Sequence, residues 1–165
     1  MYSSNYNSPV GTLLILCDDN SLCGLYKLDQ KHFLNNINDE IIPDDNNTII
    51  LKVKNWLDDY FSKKKPSIKN IPLNPFGNRF RKIIWSILIE IPYGKTTTYG
   101  DIAKEVALIL NKKKMSAQAV GNAISNNPIS IIIPCHRVIG KNGSLTGYAG
   151  GIEMKRYLLE LEKDA

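Results

Sequence analysis

Two kinds of hydrophobic spacing divide the chain. From Val10 to Cys17, and again from Leu22 to Leu28, apolar residues crowd into short runs separated by Asp18-Asp19-Asn20-Ser21, a pattern that predicts a β-hairpin. After a polar connection rich in Asn and Asp (Asn35 to Asn47), Ile49, Ile50, Val53, Trp56, Leu57, Tyr60 and Phe61 recur three and four apart, which marks one apolar helix face. Lys63-Lys64-Lys65 and then Pro66, Pro72 and Pro75 interrupt any regular element, so the linker falls over 64–78. This predicts an N-terminal α/β domain over 1–70 and a second domain over 76–165.

The second half is helical in rhythm. Phe80, Ile83, Ile84, Ile87, Leu88 and Ile91 form a stripe that stops at Pro92-Tyr93-Gly94. Thr98 is placed to cap a second helix, with Asp101 favouring its N-terminus and Ile102, Ala103, Val106, Ala107 and Leu110 on its buried side. Ser116 is placed to cap a short third helix, which Asn127-Pro128 ends. Two short helices joined by the basic turn Asn111-Lys112-Lys113-Lys114 fit either a packing unit or a helix-turn-helix.

At 165 residues the chain has room for one domain or two small ones sharing a core, and 43% hydrophobic with 22% charged residues is the balance of a folded protein. Its longest apolar stretches, such as Leu13 to Cys17 and Ala107 to Leu110, fall far short of the ~18 residues of a membrane span. The N-terminal Met1-Tyr2-Ser3-Ser4-Asn5-Tyr6 lacks the basic flank and apolar run of a secretory signal, so a cytoplasmic location is expected. In that compartment the three cysteines read as thiols. The net charge of +5 is uneven: residues 1–75 hold 8 Lys and Arg against 9 Asp and Glu, and residues 76–165 hold 13 against 7. A basic second half suits a polyanionic partner as well as simple solubility.

The chemistry concentrates where the apolar run Ile129 to Ile133 enters Pro134-Cys135-His136-Arg137-Val138-Ile139-Gly140. A free thiol with pKa near ~8.5 is only a few per cent thiolate at neutral pH, so a nucleophile needs a base or a positive environment, and His136 and Arg137 offer both. Neighbouring residues of an extended strand point to opposite faces. Contact between Cys135 and His136 therefore requires a bent backbone, which Pro134 favours, or a bridging water.

These residues resemble the methylated-DNA-protein-cysteine methyltransferases, or O6-alkylguanine-DNA alkyltransferases. The resemblance runs from Phe80 to Glu162. It includes Pro92-Tyr93-Gly94-Lys95-Thr96-Thr97-Thr98-Tyr99-Gly100-Asp101-Ile102-Ala103, Ala119-Val120-Gly121-Asn122-Ala123, Asn126-Asn127-Pro128 and Gly147-Tyr148-Ala149-Gly150-Gly151. Ser8-Pro9-Val10-Gly11 looks like the start of the family's N-terminal domain. The fold implied is α+β: a small ribonuclease-H-like sheet domain, then a mostly helical domain with a helix-turn-helix, winged-helix-like DNA-binding element.

The reaction implied is irreversible self-alkylation without a cofactor. Cys135 attacks the alkyl carbon on O6 of guanine, and possession of O4-alkylthymine activity is left open. His136 deprotonates Cys135 through a water, and Glu162 orients His136, the logic of other nucleophile–base–acid sets. Tyr99 protonates or hydrogen-bonds the leaving base, Asn127 holds the turn near Cys135, and Tyr148 lines the base pocket. The partner is double-stranded DNA, entered from the minor groove by a monomer that flips the lesion out. Ala117, Ala119, Gly121, Ala123 and Asn122 form the small or polar face that approaches the groove, with Arg137 and Lys141 nearby as cations. Where the family often has an arginine entering the base stack, this chain has Gln118. Some relatives hold zinc in the N-terminal domain, but Cys17, Cys23 and His32 are too few and too irregular for a closed four-ligand site, so no metal is expected. Two other readings use the same residues: a lesion-binding module that flips alkylated guanine without repairing it, which would lack the cysteine, and a thiol hydrolase, which would need an oxyanion site and turnover.

Overall fold

The fold opens on a strand that the hydrophobic pattern does not predict. In the computed structural model, which describes residues 1–31, 33–34 and 37–163, strand β1 runs over the polar Tyr2–Ser8 and pairs antiparallel with β2 (Gly11–Cys17) along its whole length. Gly11, at φ +114°, closes the tight turn between them in a region that side chains with a Cβ avoid. Strand β3 (Leu22–Lys27) completes the expected hairpin with β2, and β4 (Ile42–Pro43) adds a short parallel edge beyond β1. The order across the sheet is β3-β2-β1-β4. Helix α1 (Thr48–Phe61) is capped by the Asn47 side chain and lays Ile49, Ile50, Val53, Trp56, Leu57 and Tyr60 against β1 and β2. Cys17 and Cys23 are buried as thiols, donating to Asn47 and Asp18 respectively; His32 lies outside the described residues.

The segment read as a linker is irregular but attached. Leu22 donates to the Pro72 carbonyl and accepts from Asn74, so residues 72–74 flank β3 before the chain enters the helical domain. There, α2 (Arg79–Ile89), α3 (Tyr99–Ile109) and α4 (Ala117–Ser125) pack on one another, with Asn78, Thr98 and Ser116 as their capping side chains. The buried face of α2 is rotated from the expected stripe: Ile84, Trp85 and Leu88 are fully covered, while Phe80, Ile87 and Ile91 are partly so. Trp85 belongs to that buried face, and its Nε1 donates to the Ala123 carbonyl, one of the last-turn carbonyls of α4 that lack a helical partner. Short strands β5 (Thr97–Thr98) and β6 (Val138–Ile139) pair in parallel, and helix α5 (Ile152–Lys163) closes the chain. No described helix is long and apolar enough to cross a membrane.

Trp85 thus links packing to polar satisfaction. Trp85→Ala is expected to lower stability by about 3–5 kcal/mol through cavity formation. Trp85→Phe, which keeps most of the volume but leaves the Ala123 carbonyl without its donor, should cost about 1–3 kcal/mol. Urea denaturation of the two variants checks the order and the gap.

Candidate active site

The apolar run Ile129 to Ile133 is not a strand in itself but a succession of turns held at both ends. Leu25 of β3 donates to the Pro128 carbonyl and accepts from Ser130, so the N-terminal sheet reaches the segment through one residue. Asn127 fastens it from within: Oδ1 accepts from the Ile129 amide at 2.9 Å and Nδ2 donates to the Ile133 carbonyl at 2.8 Å. Between these clamps the buried, β-branched Ile131 sits at φ +71°, a conformation such a residue adopts only when its surroundings over-determine it. The chain then bends through a single 3₁₀ turn, Cys135–Arg137, which brings three consecutive side chains into the interior.

His136 is fully buried, and its Nε2 lies 2.5 Å from Oε2 of Glu162 on α5. That carboxylate also receives Arg137 Nε at 2.7 Å and Nη2 at 3.1 Å, the Tyr60 hydroxyl at 2.6 Å and the Gly94 amide at 3.2 Å. Gly94, at φ +78° and with its Cα against the Glu162 carbonyl, is a position where a Cβ would be both strained and crowded. Burial works against the charge on Glu162, yet the His136 and Arg137 hydrogen bonds outweigh it and hold the carboxyl well below the usual range. An ionised carboxylate can only accept, so Nε2 of His136 carries the proton and Nδ1 is left as the basic lone pair. Among the described residues Nδ1 has no hydrogen-bond partner, and burial, only partly opposed by Glu162, keeps the ring neutral by pushing its pKa below the ordinary value.

Cys135 is 4% exposed. Burial pushes its thiol up to about 11, against smaller opposing contributions from the Asn127 side chain and the Lys155 ammonium. At rest Cys135 is therefore a thiol, and the residue next to it in sequence is a neutral imidazole. Tyr99, at the start of α3, donates to the Thr146 carbonyl at 2.8 Å, and Gly147 (φ +71°) passes so close that a Cβ would stand 3.3 Å from the Tyr99 oxygen. Burial raises the phenols of Tyr99 and Tyr148, and the neighbouring Cys135 raises both further. Cys135, His136, Glu162, Asn127, Tyr99 and Tyr148 therefore share one neighbourhood.

The expected DNA-facing residues divide. Ala117, Gln118 and Asn122 are exposed along α4, Ala119 and Gly121 are half-covered, Ala123 is buried rather than on that face, and Lys141 is exposed on the turn after β6. Arg137 is a correction: instead of facing DNA it is buried, with its guanidinium spent on Glu162 and the Ile91 carbonyl. Two residues escaped the sequence reading. Lys155, buried on α5, donates to the Thr146 carbonyl at 3.0 Å and reaches the Tyr99 hydroxyl at 3.5 Å, and burial lowers its pKa to about 8. Its signal was available: a lysine on the same helix face as Met154, Leu158 and Leu161 is out of place unless it has a task. Tyr60 carried no such signal, because an aromatic residue in an apolar stripe reads as core.

A sheet domain that braces a helical domain around one buried thiol, with a histidine and an ionised carboxylate behind it, defines a protein whose chemistry runs through a single cysteine. Residues 1–75 match the family described as 6-O-methylguanine DNA methyltransferase, ribonuclease-like domain, and residues 79–164 match its DNA-binding domain. The chain is 43% identical to the methylated-DNA--protein-cysteine methyltransferase of Haemophilus influenzae over 99% of its own length and 87% of the relative's. It is 40% identical to that of Methanosarcina acetivorans over 98% of both. The crystal structure of Mycobacterium tuberculosis OGT in complex with DNA superposes with a TM-score of 0.85 at 36% identity, covering 99% of this chain and 94% of that one. The chain belongs to the 6-O-methylguanine DNA methyltransferase family and is a methyltransferase of DNA repair.

Glu162 is the residue on which the site's electrostatics can be tested. Its depressed pKa contributes stability that is fully present above its ordinary value of 4.5 and is lost as pH falls through the folded value. Glu162→Gln should cost about 3–5 kcal/mol at pH 7, because Arg137 is left buried without a counter-charge. The gap to the unsubstituted protein should narrow below pH 4.5, as followed by urea titrations across that range.

Proposed function

We propose that the protein repairs duplex DNA by moving an alkyl group from O6 of guanine irreversibly onto Sγ of its own Cys135, acting as a cytoplasmic monomer from the minor groove. Residues 76–165 bind the DNA and carry the reaction, and residues 1–70 brace them. The observation that carries the reading is the contact of His136 Nε2 with Glu162: it commits Nε2–H to the carboxylate and leaves Nδ1, which has no partner among the described residues, to take a proton from the thiol next in sequence. His136 withdraws that proton through a water. The thiolate attacks the alkyl carbon in line, the S–C bond forms as the C–O6 bond breaks, and the electron pair passes to the guanine. Tyr99 gives its proton to the departing base, which leaves neutral. The alkylated sulfur is a stable thioether, so each molecule acts once and needs no cofactor.

Reaching Cys135 requires an extrahelical base, since a stacked guanine cannot approach a thiol that is 4% exposed. The exposed face of α4, Ala117, Gln118 and Asn122 with the half-covered Ala119 and Gly121, suits close approach to the narrow groove. Helices α3 and α4 act here as a helix-turn-helix, with Lys112, Lys113, Lys114 and Lys141 on phosphates. Gln118 stands in the first turn of α4, where Ser116 caps its amide, and its neutral side chain fills the space of the flipped nucleotide.

Two outcomes are expected. After incubation with O6-methylguanine DNA, peptide mapping should place one methyl group per protein on Cys135; methyl on Cys17 or Cys23 alone, or repeated product release, would sink the assignment. Cys135→Ala should abolish transfer and retain DNA binding. Separately, Gln118→Ala should slow repair of duplex DNA by about tenfold while leaving the reaction with free O6-alkylguanine nearly unchanged, because only the duplex reaction includes extrusion. Single-turnover rates on the two substrates, with Gln118→Arg as the restoring variant, measure the difference.

A further inference from the structure

The carboxylate behind His136 is reached by a residue from the other domain. Tyr60, in the last turn of α1, is fully buried and donates its hydroxyl to Oε2 of Glu162 at 2.6 Å, the same oxygen that faces His136 Nε2. Its ring is fixed on three sides, stacked on Trp56 with centroids 5.2 Å apart and edge-on to Phe61 and Tyr93. Burial and the charge of Glu162 raise the phenol far above its ordinary value, so at neutral pH it is protonated and can donate.

We infer that Tyr60 is a positioning residue of the alkyl-transfer site: by donating to Oε2 of Glu162 it fixes the carboxylate against His136 and limits how strongly that carboxylate draws on the imidazole. This rests on the reading of Cys135 and His136 as nucleophile and base. The physical basis is competition for one oxygen. Negative charge shared with a phenol is less available to an imidazolium, so the phenol keeps His136 less basic than Glu162 alone would make it. The N-terminal sheet domain thereby tunes the reaction as well as supporting the fold. The other charged and titratable groups facing the couple are Arg137 from the same turn, Lys155 from α5, Tyr93 from the loop after α2, Tyr148 and Cys135. Removing the Tyr60 hydroxyl leaves each of these groups in the site.

Tyr60→Phe keeps the ring and its stacking and deletes only the donor. His136 should then protonate at higher pH, and the acid limb of the single-turnover reaction with free O6-alkylguanine should move up by about half to one pH unit. Fluorotyrosine placed at position 60 makes a more acidic phenol and a stronger donor, and should move the limb down. Trp56→Phe, which alters the same aromatic stack without touching Glu162, should leave it in place. An unmoved limb in both Tyr60 variants, or an equal shift in Trp56→Phe, overturns the proposal and reduces Tyr60 to packing. NMR titration of the His136 ring in the full-length protein gives the same comparison without substrate. If the protein fails to accept an alkyl group but the His136 titration still shifts, the reading of the reaction is at fault and the role of Tyr60 stands.

Discussion

A single buried carboxylate holds the site together. Glu162 is 2% exposed, and an isolated charge in that setting would cost several kcal/mol. It is tolerated because five hydrogen bonds from Tyr60, Gly94, His136 and Arg137 converge on its two oxygens. Those donors come from α1, the loop after α2 and the 3₁₀ turn, while Glu162 itself belongs to α5. The charge that faces His136 is thus also what fastens four parts of the chain to one another. Such an arrangement is costly to break at any member, since the remaining groups lose their compensation together.

The Cys135 segment is held in a different way. Residues 127–133 make few of the repeating hydrogen bonds of regular structure, so the Asn127 side chain and the Leu25 backbone satisfy groups that would otherwise be buried without partners. The positive φ of Ile131 shows how tightly that segment is constrained. With Leu25 on one side and Tyr60 on the other, the sheet domain holds the Cys135 segment through a backbone pair and Glu162 through a side chain. This gives the N-terminal domain a direct physical connection to chemistry that lies wholly in the other half of the sequence.

Much of this was legible in advance. The helices capped by Thr98 and Ser116 start where those residues predict, because a side-chain oxygen placed before an apolar stripe acts locally. The β2–β3 hairpin follows its two apolar runs for the same reason. Strand β1 was not legible: Tyr-Ser-Ser-Asn-Tyr-Asn-Ser has little strand propensity, and only its register against β2 makes it a strand. The α2 stripe missed Trp85, which is buried with Ile84 and Leu88 and meets a carbonyl of α4 distant in sequence.

At the site, the heptapeptide placed a histidine and an arginine beside a cysteine, which names a thiol and groups that can activate it, while Glu162 came only with the family resemblance. Local order cannot say which neighbour each group meets. Only the tertiary structure turned Arg137 inward onto Glu162, committed Nε2 of His136 and left Nδ1 free, and brought Tyr60 and Lys155 to the site from opposite ends of the chain. The physical reason is that burial decides these roles. A charged or phenolic group taken out of water must find a partner, and which partner is within reach depends on how helices and sheet pack, which no stretch of adjacent residues encodes.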